Sequence, residues 1–302
     1  MRTASARAVS TARVMRRRRY LMCRPAHFTV RYSINPWMDP GVPTSGETAL
    51  GQWKRLHDLL VELGHDVDLV PPRPDLPDMV FAANGAVAVD GKALVARFRH
   101  PQRTGESAAY QQWFGDHGWS EVRQATQINE GEGDFLLAGD VLLAGSGFRS
   151  DPAAQLEAAE FFGLPVLGLT LTDPRFYHLD TALAVLDDDE VMYYPGAFDA
   201  ESRKLLADKY PDAILATERD AEAFGLNAVS DGQHVVLARA AERLAGQLKE
   251  RGFEPIGVEL TELLKAGGGA KCCLLEIRHT QARRTVAHES AAHIPLPESH
   301  PA

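Results

Sequence analysis

The clearest periodicity in the chain is helical. Between Thr48 and Leu63 the apolar residues Leu50, Trp53, Leu56, Leu59, Leu60 and Leu63 fall three and four apart, and Gly64 stands where a helix cap belongs. Short apolar runs at 20–23 and 67–70 flank this segment and predict strands. Further strands are expected at 85–89, 93–98, 135–138, 141–144, 166–169, 181–186, 191–194, 213–216, 235–237 and 272–277. Helices are expected between them at 153–162, 200–209, 220–224, 240–251 and 259–266. Alternation of this kind predicts an α/β fold. No GxGxxG follows the first strand and no GxxxxGK[ST] occurs, so a nucleotide-binding doubly wound fold lacks its fingerprint.

The pattern stops at both ends. Residues 1–19 hold seven arginines and no acid, and predict a disordered arm, with Met15 as an alternative start and residues 1–14 dispensable. From 279 to 302 no period survives, which predicts a loose tail. Its His279, His288, His293 and His300 are spaced too irregularly for a metal site.

Composition narrows the function classes. The 302 residues, 45% hydrophobic, suffice for a full core. No apolar run approaches bilayer thickness, so no membrane partner is expected. A net charge of -9 argues against nucleic acid as a partner and suits a small cationic ligand. Three cysteines, Cys23, Cys272 and Cys273, without CxxC spacing, predict neither a disulfide framework nor a structural zinc, and point to the reducing cytoplasm.

Four polar constellations interrupt the strands. Asp78 and Asn84 bracket an apolar stretch that ends in Gly85. Asn129-Glu130-Gly131-Glu132-Gly133-Asp134 crowds three carboxylates on a glycine-spaced loop, which calls for a cation or a positively charged ligand. The EF-hand spacing is absent, and a solvated acidic turn is the plainer alternative. His178 and Asp180, in a segment expected to be extended, share one face, and a histidine beside a carboxylate can move a proton near neutral pH. Gly267-Gly268-Gly269-Ala270-Lys271-Cys272-Cys273 places a thiol after a glycine run that leaves it exposed. Each has a bland reading as a capped turn, a structural histidine or buried cysteine packing.

Taken in order, INPWM at 34–38, VFAANG at 80–85, EGEGD at 130–134, FYHLDTAL at 176–183, NAVSDG at 227–232 and GGGAKC at 267–272 resemble the guanidino-group-modifying superfamily. It includes dimethylarginine dimethylaminohydrolases, arginine deiminases, arginine dihydrolases and amidinotransferases. The resemblance implies the pentein fold: five ββαβ-type modules about a pseudo-fivefold axis with a central active-site channel, forming one domain over 20–278. It also implies Cys272 as nucleophile, His178 as general acid/base and Glu130 as the family acid, with Glu132 at the variable position of the loop. Asp134, Asp180, Glu132, Asp78, Asn35 and Asn84 would contact substrate, and Arg97 and Arg149 match arginines that bind a substrate carboxylate.

The chemistry so implied is thiolate addition to a guanidinium carbon, loss of amine or ammonia protonated by His178, and hydrolysis of a covalent thiouronium. Neither cofactor nor metal enters, and Lys271 would favour the thiolate. Asn84 replaces the Asp of deiminases and methylarginine hydrolases, and with Asn35 is similar to arginine dihydrolases. Amidino transfer to an amine remains an alternative, a non-catalytic pentein a remote one, and homo-oligomerisation is left open. Cys273 is expected to be packing, turned away from Cys272 by strand alternation.

Overall fold

One unit recurs along the chain: an antiparallel strand pair, a helix, and a third strand parallel to the second. The computed structural model describes residues 13–280. Strand β1 (Arg19–Cys23) leads into α1 (Gly46–Glu62) and β2 (Asp66–Val70), which lies parallel to β1. Ser45 opens α1 by accepting the Thr48 N–H at 3.1 Å, and Ala49, Gln52, Trp53, Leu56 and Leu60 form its buried face. Leu50, part of the periodic stripe, is exposed.

The second unit comprises β3 (Ala86–Val89), β4 (Lys92–Val95), α2 (Glu106–Asp116) and β5 (Glu121–Gln124). The third comprises β6 (Phe135–Ala138), β7 (Val141–Ser146), α3 (Pro152–Phe162) and β8 (Val166–Thr170). The short α4 (Leu179–Ala182) precedes β9 (Leu183–Asp187), β10 (Glu190–Tyr193), α5 (Ala200–Lys209) and β11 (Ile214–Leu215). Helix α6 (Glu218–Glu222) then leads to β12 (Val229–Ser230), β13 (His234–Ala238), α7 (Glu242–Glu250) and β14 (Glu254–Val258). After α8 (Thr261–Leu264), β15 (Leu275–Arg278) returns to pair antiparallel with β1, so the two chain ends complete one unit together. Because β15 also lies parallel to β3, two units merge into a six-stranded sheet of order β2-β1-β15-β3-β4-β5, and the other three remain three-stranded.

The central strand β3, paired on both edges, is apolar throughout with all four residues buried, as are the four of the edge strand β6. Three 3₁₀ turns, Ala82–Gly85, Gly131–Gly133 and Lys271–Cys273, and helix α4 pack against one another at strand ends. These are the segments that carry the polar constellations.

Several expectations change. Residues 13–19 are docked, because their arginines find acids: Arg16 Nη1 lies 2.6 Å from Asp187 Oδ1, Arg13 Nη2 lies 2.7 Å from Glu190 Oε2, and the Arg16 N–H donates to Asp231 O at 2.8 Å. The rest of the arm, 1–12, and the tail from 281 on lie outside the described residues. His279 and Thr280, expected in the tail, are anchored on Asp90, to which the Thr280 hydroxyl donates at 2.7 Å. Residues 181–182 and 272–273, expected to begin strands, belong to the helical turns Leu179–Ala182 and Lys271–Cys273. Helix α2 and strands β5 and β14 were absent from the sequence expectation.

Candidate active site

The glycine run ends in the turn Lys271–Cys273, so neither cysteine sits on a strand. A side chain at Gly268 would put its Cβ 2.1 Å from the Phe81 ring, and one at Gly269 would lie 2.8 Å from Asn227 Oδ1. The glycines therefore allow close approach of neighbouring groups. Cys272 is 2% exposed, against the expectation of an exposed thiol, and Cys273 is fully buried among Trp53, Leu56 and Leu274. Packing remains the role of Cys273, for a reason other than strand alternation.

Three hydrogen bonds to two residues fix Cys272. Its Sγ donates to Asp180 Oδ2 at 3.2 Å, Asn227 Nδ2 donates to Sγ at 3.1 Å, and the Cys272 N–H donates to Asn227 Oδ1 at 3.1 Å. Asn227 Nδ2 also donates to Asp180 O at 3.0 Å, tying the thiol turn to α4. Burial, then the negative charge of Asp180 and its hydrogen bond, push the thiol pKa well up. Lys271 does not offset this: its ammonium is directed to Glu132 Oε2 at 2.8 Å and to Leu274 O at 2.9 Å.

His178 occupies the N-cap position of α4 and Asp180 lies within the helix, so the two are placed by a helical turn and not by strand alternation. The His178 Nε2–H donates to Glu130 Oε2 at 2.9 Å, leaving Nδ1 without a partner. Burial lowers the imidazole pKa to about 4, against the hydrogen bond and charge of Glu130, which raise it. Burial likewise raises Asp180 to about 7, with Lys271 as the largest opposing influence.

The acidic loop is buried, not solvated: Glu130, Glu132 and Asp134 are all at most 1% exposed. Each carboxylate holds a different part of the site. Glu130 accepts from His178 and, at 2.6 Å, from Arg149 Nη1, with Arg103 Nη1 at 3.9 Å. Burial raises its pKa, but Arg149, His178 and Arg103 outweigh this and hold it far below the carboxylate range. Asp134 accepts the Leu179 N–H at 3.1 Å and the Ser150 hydroxyl at 2.6 Å, fixing the start of α4, and burial raises its pKa to about 8. Glu132 turns the other way, to Lys271, the Glu276 N–H at 2.8 Å and Arg278 at 3.5 Å. Both of its oxygens thus lie against cations of the chain itself. At Gly133 a Cβ would stand 2.4 Å from Asn84 Nδ2 and 3.1 Å from His178 Cγ, so only glycine lets the loop pass between them.

Asn84 is buried; its Oδ1 accepts from Arg103 Nη1 at 2.8 Å and its Nδ2 has no partner. Asp78 accepts the Tyr32 hydroxyl at 2.9 Å on one oxygen and nothing on the other, and burial raises its pKa. Asn35 is half-buried and braces the glycine run, donating to Ala266 O at 3.0 Å. Arg149 lies inside the cluster, its guanidinium 4.6 Å from the centre of the Tyr177 ring, whereas Arg97 is exposed and bonds to Thr126 O. A second arginine in the cluster is Arg103, which grips Glu106 through Nε and Nη2 at 2.8 Å each. Neither Arg103 nor Asn227 was singled out from sequence. The NAVSDG motif was the one available signal for Asn227, and nothing local marks Arg103.

Among the described residues, the buried atoms without partners include Asp78 Oδ1, Asn84 Nδ2, Glu130 Oε1, His178 Nδ1 and Asp180 Oδ1. Buried polar atoms are ordinarily satisfied, so this concentration in one residue cluster marks a place for a polar ligand. With three acceptor oxygens on acids, that ligand is rich in N–H donors. No group of side chains able to hold a metal ion occurs among the described residues.

Residues 35–279 match the family described as eukaryotic N,N dimethylarginine dimethylhydrolase. Over 91% of its own length and 91% of the relative's, the chain is 53% identical to the N(G),N(G)-dimethylarginine dimethylaminohydrolase of Mycobacterium tuberculosis. It is 39% identical to the bifunctional arginine dihydrolase/ornithine cyclodeaminase AgrE of a Nostoc species, covering 89% of this chain but only 39% of that longer protein. The crystal structure of the N-terminal domain of ArgZ, an arginine dihydrolase of the cyanobacterial ornithine-ammonia cycle solved with substrate bound, superposes with a TM-score of 0.84 at 38% identity, covering 87% of this chain and 99% of that one. The chain therefore belongs to the dimethylarginine dimethylaminohydrolase family, in the branch it shares with arginine dihydrolases.

Proposed function

We propose that this protein is a cysteine-dependent hydrolase of guanidino C–N bonds, with the five strand-helix units arranged about a pseudo-fivefold axis around its site. The observation that carries the reading is the buried thiol of Cys272 bonded to Asp180, whose second oxygen is unpartnered. A guanidinium offers paired N–H groups to such a carboxylate, and places its electrophilic carbon near the sulfur.

Sulfur adds to that carbon as the thiol proton passes to His178 Nδ1. The imidazolium, held against Glu130, gives this proton to the departing amine or ammonia, and the C–N bond breaks. The covalent thiouronium is then attacked by water, which yields a proton to His178. Collapse to the urea carbonyl expels sulfur, which takes back the proton held by His178, and the hydroxyl proton leaves to the released amine, which departs as its ammonium ion. Asp78 and Arg149 serve the ammonium and carboxylate ends of an amino-acid substrate. Glu132 and Arg97 have no part in this scheme.

Asn84 favours arginine taken through citrulline to ornithine over dimethylarginine alone. Arg103 donates to Asn84 Oδ1, so the amide presents Nδ2, a donor, to the site. A guanidinium has no acceptor for it, whereas the ureido oxygen of citrulline does. The test is incubation with arginine, asymmetric dimethylarginine and agmatine, with mass-spectrometric identification of citrulline, ornithine, ammonia and dimethylamine. Ornithine and ammonia from arginine support this reading, and citrulline with dimethylamine supports the methylarginine one. Turnover of none, with no labelling of Cys272 by chloroacetamidine, refutes both, and a substituted guanidine formed from an added amine identifies amidino transfer.

A further inference from the structure

The reaction scheme leaves unused the buried ion pair that stands beside the nucleophile in the chain. Lys271 directly precedes the nucleophile, and its Nζ lies 2.8 Å from Glu132 Oε2, both side chains being almost wholly buried. The same Glu132 oxygen accepts the Glu276 N–H at 2.8 Å at the foot of β15, so the pair joins the acidic loop to both ends of the thiol turn. Buried ion pairs seldom add net stability over apolar side chains of similar size, and an apolar contact would anchor the turn as well. What an apolar contact would lack is charge beside Asp180.

We propose that Lys271–Glu132 is a positioning pair for the nucleophile: Lys271 seats the thiol turn and supplies the positive charge that keeps Asp180 ionised at the sulfur, and Glu132 moderates that charge. The inference rests on the roles given to Cys272 and Asp180 above. Asp180 is faced from the thiol turn by Cys272 and Lys271, from the acidic loop by Glu132 and Asp134, from 227 by the neutral Asn227, and from its own segment by Tyr177. Lys271 is the strongest influence lowering the Asp180 pKa, and Glu132 acts in the opposite sense.

This opposition separates a tuning role from a bracing one. Lys271→Met and Glu132→Gln both break the same ion pair, so a brace predicts the same change in both. The positioning pair predicts opposite changes: the acid limb of the kcat/KM profile moves up in pH by on the order of one unit in Lys271→Met and down in Glu132→Gln. In the double variant it returns toward the parent. The profiles are measured with arginine or dimethylarginine, whichever is turned over, and thermal midpoints are recorded alongside. Shifts in the same direction, or no shift in Lys271→Met, overturn the inference; if Glu132→Gln does not fold, Lys271→Met and the double variant decide by the same criterion. Cys272→Ala is the control: turnover retained there refutes the functional reading itself, whereas an inactive Cys272→Ala with parallel shifts refutes the positioning pair alone.

Discussion

Replacing Glu130 by Gln keeps the shape of the side chain and removes its charge, and the structure allows the consequences to be sized. One oxygen takes both the Arg149 guanidinium at 2.6 Å and the His178 Nε2–H at 2.9 Å, with no solvent nearby. Leaving the Arg149 charge buried without its counter-ion should cost about 3–5 kcal/mol of stability. The effect on catalysis is separate. As His178 takes a proton its bond to Glu130 becomes an ion pair, and the difference between a charged and a neutral hydrogen bond is about 1–2 kcal/mol. That corresponds to kcat lower by roughly 5–30-fold with KM little changed. The diagnostic substrate is an S-alkyl isothiourea analogue of arginine, whose leaving thiolate needs no proton. In a rapid-quench measurement of the first turnover, Glu130→Gln should be slower than the parent with both substrates, because His178 takes the thiol proton in each, and slower by the larger factor with the guanidine, whose leaving group also needs that proton. Equal losses on the two substrates would refute the assignment of Glu130 to proton delivery through His178.

Cys272→Ser should abolish turnover, whereas Cys273→Ser should retain it and lose about 1–3 kcal/mol of stability by burying an unpaired hydroxyl; chemical denaturation and steady-state rates separate the two. With Asp180 raised to about 7 by burial, its carboxylate is available above that pH only, so kcat/KM should fall as pH drops through about 7, and a flat profile between pH 6 and 8 would contradict it. Gly133→Ala forces a methyl into Asn84 and His178 and should cost most of the activity, while the same change at the exposed Gly115, where nothing lies within 4 Å of the added Cβ, should leave activity intact. Arg13→Ala with Arg16→Ala should lower stability by about 1 kcal/mol, and less at high salt, because these ion pairs are partly exposed.

What was legible in the sequence followed from local pattern. Helix α1 was found because its apolar residues are sequential neighbours on one face. Strands β5 and β14 escaped because they are half-polar edges, Glu121–Gln124 and Glu254–Val258, held by pairing to β4 and β13 and not by their own hydrophobicity. Cys272 to Ile277 reads as one apolar run, but the Leu274 N–H bonds back to Lys271 O and Glu132 anchors the Lys271 side chain, which draws the first two residues of the segment into a turn. Cys272, His178, Glu130 and Asp180 stand in recognisable motifs. Arg103 and Asn227 do their work across 19 and 45 residues of chain, and no local pattern reports such a bond.

Taken by themselves, the protonation preferences of the site look unsuited to catalysis. The thiol is harder to ionise than in water and Asp180 binds its proton up to about 7, so at neutral pH sulfur and carboxylate do not both carry charge. The two shifts have one origin, since each group is buried and the negative charge of Asp180 opposes the thiolate. A guanidinium entering the site reverses both together: its charge favours the carboxylate, its N–H groups fill the unpartnered Asp180 oxygen, and its field favours the thiolate at the carbon to be attacked. The neutral ureido group of citrulline supplies the N–H groups without the charge, so its attack by sulfur should be slower than that of arginine. The site thus discriminates by charge at the step where sulfur becomes nucleophilic, and a thiol kept protonated until a cation arrives is protected from adventitious alkylation and oxidation.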